Sequence, residues 1–152
     1  MDKTDKLLEI KDLNIQYVTD DGKFKAVNDL HLKIGKGETL GFVGETGAGK
    51  TTTALGIMRL VPNPPGEIVK GDIIFEGENL LEKTEKEMTS IRGNKISMIF
   101  QDPMTSLNPI MTVGEQIEEV IDLHQDIPKN ELRTKAEEML ETVGIRKERF
   151  DD

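Results

Sequence analysis

At 152 residues, with 36% hydrophobic and 32% charged residues, the chain has one domain's worth of material and the composition of a soluble globular protein. Its formal net charge of −9 argues against a nucleic-acid or anionic-membrane surface, because both partners are themselves negative. The absence of cysteine excludes disulfides and Cys-ligated metals or clusters. The charged start, Met1-Asp2-Lys3-Thr4-Asp5-Lys6, precedes no long apolar core, and no run approaches the ~18 apolar residues of a membrane span. The chain is therefore expected to be soluble and cytoplasmic.

Leu8-Glu9-Ile10 and Leu13-Asn14-Ile15-Gln16-Tyr17 alternate apolar and polar residues, as half-buried strands do. Thr19 to Lys23 is a turn punctuated by Asp21-Gly22, and Leu30, Leu32 and Ile34 alternate again, so a hairpin is expected. Tyr17 is one of six aromatic residues in the chain. It is either a strand tyrosine packing on a neighbour or, standing ahead of a phosphate loop, a ring able to stack on adenine.

Leu40-Gly41-Phe42-Val43 reads as a buried strand, and Gly44 to Thr51 matches the phosphate-loop pattern G-x-x-x-x-G-K-[ST] without a mismatch. Glycines 44, 47 and 49 are expected to take positive φ and bring amide groups close to an anion. The helix opening near Gly49 adds its positive end. Lys50 is placed to reach the β- and γ-phosphates, and the Thr51 hydroxyl to ligate Mg²⁺. A helix should follow over 50–60, until Val61-Pro62-Asn63-Pro64-Pro65-Gly66 forbids its continuation.

Gly71 to Gly77 is a further strand running into a turn, and a short helix is expected over Glu85–Arg92, ended by Gly93-Asn94. Lys95 to Phe100 reads as a second buried strand leading into Gln101-Asp102-Pro103. Thr112-Val113-Gly114-Glu115 has capping-box spacing, so a helix should run from Val113 to about His124 with Val113, Ile117, Val120 and Ile121 on one face. After Pro128, Asn130–Val143 repeats the pattern through Leu132, Ala136, Met139, Leu140 and Val143, with Gly144 as its C′ residue. Six acidic residues and no Lys or Arg lie between Ile96 and Pro128, a solvated acidic face. His31 and His124 stand alone, without ligand spacing.

The string Ile99-Phe100-Gln101-Asp102-Pro103-Met104-Thr105-Ser106-Leu107-Asn108-Pro109 resembles the Q-loop region of ATP-binding subunits of ABC importers, in the oligopeptide, dipeptide and nickel permease branch. With the phosphate loop upstream, the resemblance covers nearly the whole chain. It implies an α/β P-loop NTPase core of the ABC ATPase type, incomplete, with an antiparallel β-subdomain and the start of a helical subdomain. The β-subdomain and core would occupy about 7–103, and the Q-loop and helical start about 104–152.

The resemblance further implies ATP and Mg²⁺ as cofactors. Tyr17 matches the adenine-stacking aromatic, and Gly44, Glu45, Thr46, Gly47, Ala48, Gly49, Lys50, Thr51 and Thr52 match the Walker A loop. Gln101 matches the glutamine that touches Mg²⁺ and the attacking water, so Thr51 and Gln101 are the implied metal residues, and Lys50 and Gln101 the implied catalytic ones. The segment from Asp102 to about Val113 would meet the permease transmembrane subunits, and a second ATP-binding subunit would complete the site. No nucleic-acid partner is implied, and the expected location is peripheral, on the inner face of the cell membrane.

Departures from the family pattern are equally specific. No L-S-G-G-Q signature, no apolar run ending Asp-Glu, no D-loop and no switch histidine occur in the chain. The sequence resembles the N-terminal half of such a subunit, expected to bind nucleotide and not to hydrolyse it. It also leaves an apolar sheet edge expected to pair or aggregate. Other readings are a non-hydrolysing nucleotide-binding module and a P-loop kinase or regulatory NTPase unrelated to transport.

Overall fold

The computed structural model describes residues 6–102 and 106–152. Two compact units make up the chain, one ending at Met88 and the other running Thr89–Asp152.

The first unit is built on the expected hairpin. β1 (Lys6–Thr19) and β2 (Gly22–Gly35) pair antiparallel across a tight turn that sets Thr19 opposite Gly22. β3 (Gly66–Phe75) adds antiparallel to the other side of β1, and β4 (Glu78–Asn79) to β3, giving the sheet order β2-β1-β3-β4. β3 begins five residues earlier than the expected strand at Gly71, because Tyr17, Gln16 and Ile15 supply pairing partners for Gly66, Glu67 and Ile68.

Leu8, Ile10, Leu13 and Ile15 are all buried, although the step from Ile10 to Leu13 breaks the two-residue period. A bulge resolves the conflict: Ile10 pairs with Leu32 and Leu13 with Leu30, so Lys11 and Asp12 together face His31. The extra residue returns Leu13 to the core face, which a strict period would have sent to solvent. Asp12 takes φ 47 there, and the Asn14 amide holds the kink by donating to the Asp12 carbonyl at 2.8 Å and to the Asp29 carboxylate at 3.0 Å.

Helix α1 (Lys50–Ile57) packs on β1 through Gly56, where a β-carbon would stand 2.8 Å from Ile15 Cδ1. It ends three residues short of the expected limit, with Arg59 at φ 51 closing the last turn. α2 (Glu85–Ile91) agrees with expectation to within one residue. Gly93 does take positive φ after it, whereas Asn94 does not.

In the second unit, α3 (Val113–His124) starts at the capping box: the Glu115 amide donates to the Thr112 hydroxyl at 3.2 Å and the Thr112 amide to the Glu115 carboxylate at 2.8 Å. α4 (Leu132–Thr142) follows a short 3₁₀ turn, Lys129–Glu131. Ile121, Ala136, Leu140 and Phe150 form the core, with Val113, Ile117, Ile127 and Leu132 against it. Val120, Met139 and Val143, expected in the same stripes, are exposed instead. α3, α4 and a second 3₁₀ turn, Lys147–Asp151, which carries Phe150, cover a single narrow seam, and these three residues fall outside it.

Leu40–Val43 and Lys95–Phe100, expected as buried strands, are not strands here, Ile96 making only an isolated bridge to Arg92. Val43 and Ile99 are each 95% exposed. A buried parallel strand draws its hydrogen bonds from neighbours on both sides. No strand among the described residues pairs with either segment.

Candidate functional site

The phosphate-loop residues sit between β2 and α1 and lie mostly at the surface, with Gly49 buried and Lys50 half-buried. Gly47 and Gly49 adopt φ 85 and 79, as expected of glycines lining an anion nest. Gly44 does not have positive φ; the requirement there is space, since a β-carbon would lie 3.1 Å from Ala48 Cβ. The Ala48 amide donates to the Glu45 carbonyl at 3.1 Å, closing the loop on itself.

Gly49 is the N-cap of α1 and offers no side chain to the first turn, which also holds no acidic residue. A helix start leaves up to four amides without intrahelical acceptors, and their dipoles favour an anion. The Thr53 hydroxyl, buried, donates to the Gly49 carbonyl at 2.9 Å and so ties the loop's last residue to the helix.

Lys50 folds back over the loop, its Nζ donating to the Glu45 carbonyl at 2.7 Å and to the Gly44 carbonyl. The ammonium is thereby tied back to the loop backbone. Thr51, on the first turn, is exposed, and its hydroxyl is of the oxygen type that hard divalent cations take. Amides, an ammonium and a hydroxyl together fit a magnesium nucleotide chemically.

Tyr17 is brought to the same place from β1. Its hydroxyl lies 3.4 Å from the Thr52 Oγ1, on the helix that the loop opens. Gln101 is exposed in a bend in the second unit. Part of the segment that follows, residues 103–105, lies outside the described residues.

Two positions without any motif of their own, Ala26 and Gly66, also shape this region. A β-carbon on Gly49 would meet the Ala26 carbonyl oxygen at 2.2 Å, and one on Gly66 would meet Tyr17 Cε1 at 2.9 Å. Neither position has a chemical signature in the sequence, so only spatial neighbours could identify it.

The family model described as ABC transporter matches residues 27–151. Among curated relatives, the oligopeptide transport ATP-binding protein OppD of Bacillus subtilis is 50% identical over 145 residues, which is 95% of this chain and 40% of that protein. OppD of Escherichia coli is 45% identical over 94% of this chain and 42% of its own length. OppF of Bacillus subtilis is 47% identical over 95% of this chain and 46% of its own. The chain thus spans less than half the length of these relatives. Among solved structures, the ATP-binding cassette MJ0796 in a dimeric post-hydrolysis state with ADP and Pi superposes with a TM-score of 0.80 at 24% identity, covering 95% of this chain and 60% of that one. A nucleotide-free ATP-binding cassette from an ABC transporter gives 0.63 at 20% identity, over 96% and 56%.

Proposed function

The chain belongs to the ABC transporter family, and from that membership we propose that it forms the ATP-binding part of an importer subunit for peptides or a related small solute. Its fold is the α/β P-loop fold of ABC ATPase cassettes in incomplete form, with an antiparallel sheet and the first helices. The observation that carries the reading is the uncapped start of α1, entered through Gly49 in the left-handed conformation, with the Lys50 ammonium tied back to the loop carbonyls.

In this reading the loop amides of residues 44–52 and the Lys50 ammonium would hold the nucleotide phosphates, and Tyr17 would stack on the adenine. Thr51 would hold Mg²⁺, with Gln101 as the second metal residue that the family resemblance implies, and the ion would supply positive charge at the β- and γ-phosphates. Gln101 is a neutral group that can accept from water and sense the metal, so occupancy can shift the loop that follows it. The helical subdomain implied from about 104 starts within residues outside the described ones, and the segment from Asp102 to about Val113 would face a permease subunit on the inner side of the membrane.

Support for a partner on that side comes from the second unit itself. Leu107, Met111, Ile117, Val120, Met139 and Val143 line an apolar groove of about 1060 Å³. A second ATP-binding subunit completes the γ-phosphate site. With no L-S-G-G-Q string and no apolar run ending Asp-Glu in its sequence, this chain binds nucleotide without turnover.

Calorimetric titration of the 152-residue chain with magnesium ATP, alongside a phosphate-release assay, tests this reading. Saturable binding with no release is the expected result. Absence of binding, or turnover at the rate of an intact transporter, would refute it. For the switch, Gln101→Ala in the intact transporter should keep ATP affinity and lose permease-stimulated hydrolysis.

A further inference from the structure

Tyr17 and Gly66 stand directly opposite each other in the β1–β3 pair. Gly66 is buried, and its φ is not positive, so its backbone does not require glycine. What requires glycine is crowding. A β-carbon there would lie 2.6 Å from Val61 Cγ1, 2.9 Å from the Pro62 carbonyl oxygen and 2.9 Å from Tyr17 Cε1.

The wall on the proline side is fastened. The Gly66 amide donates to the Pro62 carbonyl at 2.7 Å, and the Val18 amide to the Pro65 carbonyl at 2.8 Å. With the Pro62 carbonyl fixed, an atom added at 66 presses on two side chains, Val61 and the edge of the Tyr17 ring. That ring is held at its edge by the vacant side-chain position of Gly66 and at its tip by Thr52, 3.4 Å from the hydroxyl. Displacing the edge tilts the ring's face and draws the hydroxyl away from α1.

From this geometry we infer that Gly66 is a positioning residue for the base of a purine nucleotide: its missing side chain sets the plane of the Tyr17 platform. The inference rests on the reading of Tyr17 as the adenine-stacking residue.

Tyr17 is the only tyrosine in a chain without tryptophan, so intrinsic emission reports on this ring alone. The full chain, Gly66→Ala and Tyr17→Ala are titrated by calorimetry with ATP and with inorganic tripolyphosphate, and emission is recorded for the first two. Gly66→Ala should weaken ATP about tenfold, the scale of a lost aromatic–base stack, leave tripolyphosphate within about twofold, and alter the emission of the unliganded protein. Unchanged ATP affinity in Gly66→Ala, or an equal loss for both ligands, would overturn the inference. If Tyr17→Ala loses ATP selectively while Gly66→Ala does not, the stacking reading stands and this inference alone falls. If Tyr17→Ala shows no selective loss, the stacking reading itself falls. One measurement needs no variant: tyrosine anisotropy in the unliganded wild-type chain should decay with overall tumbling. A fast ring component of large amplitude would overturn the inference.

Discussion

The α-carbon of Gly49 rests on the backbone of Ala26, so closely that a β-carbon at 49 would fall 2.2 Å from the Ala26 carbonyl oxygen. The last glycine of the phosphate loop is thus pinned to β2, and the start of α1 inherits its position from the hairpin. Loop geometry and sheet geometry are one problem at this contact.

Comparing two glycines separates backbone strain from packing. Gly47 has φ 85, and a β-carbon there would meet nothing within 4 Å, so Gly47→Ala should cost only the left-handed penalty of about 1–2 kcal/mol. Gly49→Ala carries the same penalty and must also displace β2, for a total above about 3 kcal/mol. Urea titration of both variants measures the gap, and equal losses would show that the Ala26 contact yields freely. ATP binding should be lost in Gly49→Ala.

Lys50 is expected to serve ligand affinity and to contribute little to folding, because its acceptors, the Gly44 and Glu45 carbonyls, lie on an exposed loop. Lys50→Ala should weaken ATP by roughly ten- to a hundredfold, the range of a hydrogen bond to a charged group. The melting temperature should stay within about a degree, since surface substitutions of this kind shift stability little. A large stability loss with intact affinity would invert the assignment.

The second unit has its own tight contact. A β-carbon on Gly114 would lie 2.3 Å from the Phe150 ring, which also carries the Arg133 guanidinium at 4.1 Å from its centroid. Overpacking predicts a loss of about 1–3 kcal/mol for Gly114→Ala. Adding Phe150→Leu should recover part of it, as a thermodynamic cycle on the two sites would register. Strict additivity would show that the ring moves aside without cost.

A pH effect should appear at the start of α2. Glu87 accepts from the Thr84 hydroxyl at 2.6 Å and from the Thr84 amide at 2.7 Å, and these bonds, the hydroxyl's first, hold its carboxyl below the ordinary glutamate value. A lowered carboxylate stabilises the fold above its unfolded pKa, and that contribution is lost as pH falls through the folded value. Glu87→Gln should therefore lower the melting temperature near about pH 7 and make no difference near about pH 2, after protonation of the wild-type carboxyl. A difference that persists unchanged in acid would point to packing in place of charge.

Much of this molecule is written locally in its chain. The start of α3 needs only Thr112 and Glu115 three residues apart, and the arrest of α4 only Gly144 at φ 80. The phosphate loop is local in part: Gly47 takes φ 85 with open space around it, and Lys50 donates to the carbonyls of Gly44 and Glu45 a few residues away. Side-chain alternation marked β1 and β2, yet the bulge at Asp12 emerged only when Leu30 and Leu32 fixed the register of the partner strand.

What tertiary structure decided concerns residues whose neighbours are far along the chain. Leu40–Val43 and Lys95–Phe100 read as buried strands, but a strand exists only where another backbone accepts its hydrogen bonds, and no strand among the described residues does so. Gly49 against Ala26 and Gly66 beneath Tyr17 are likewise invisible to any local pattern. Helices and the turns of a phosphate loop satisfy their polar groups within a few residues, so spacing reveals that they form, while their placement comes from the sheet. Sheets and platforms borrow partners across the fold, and their outcome belongs to the assembled chain.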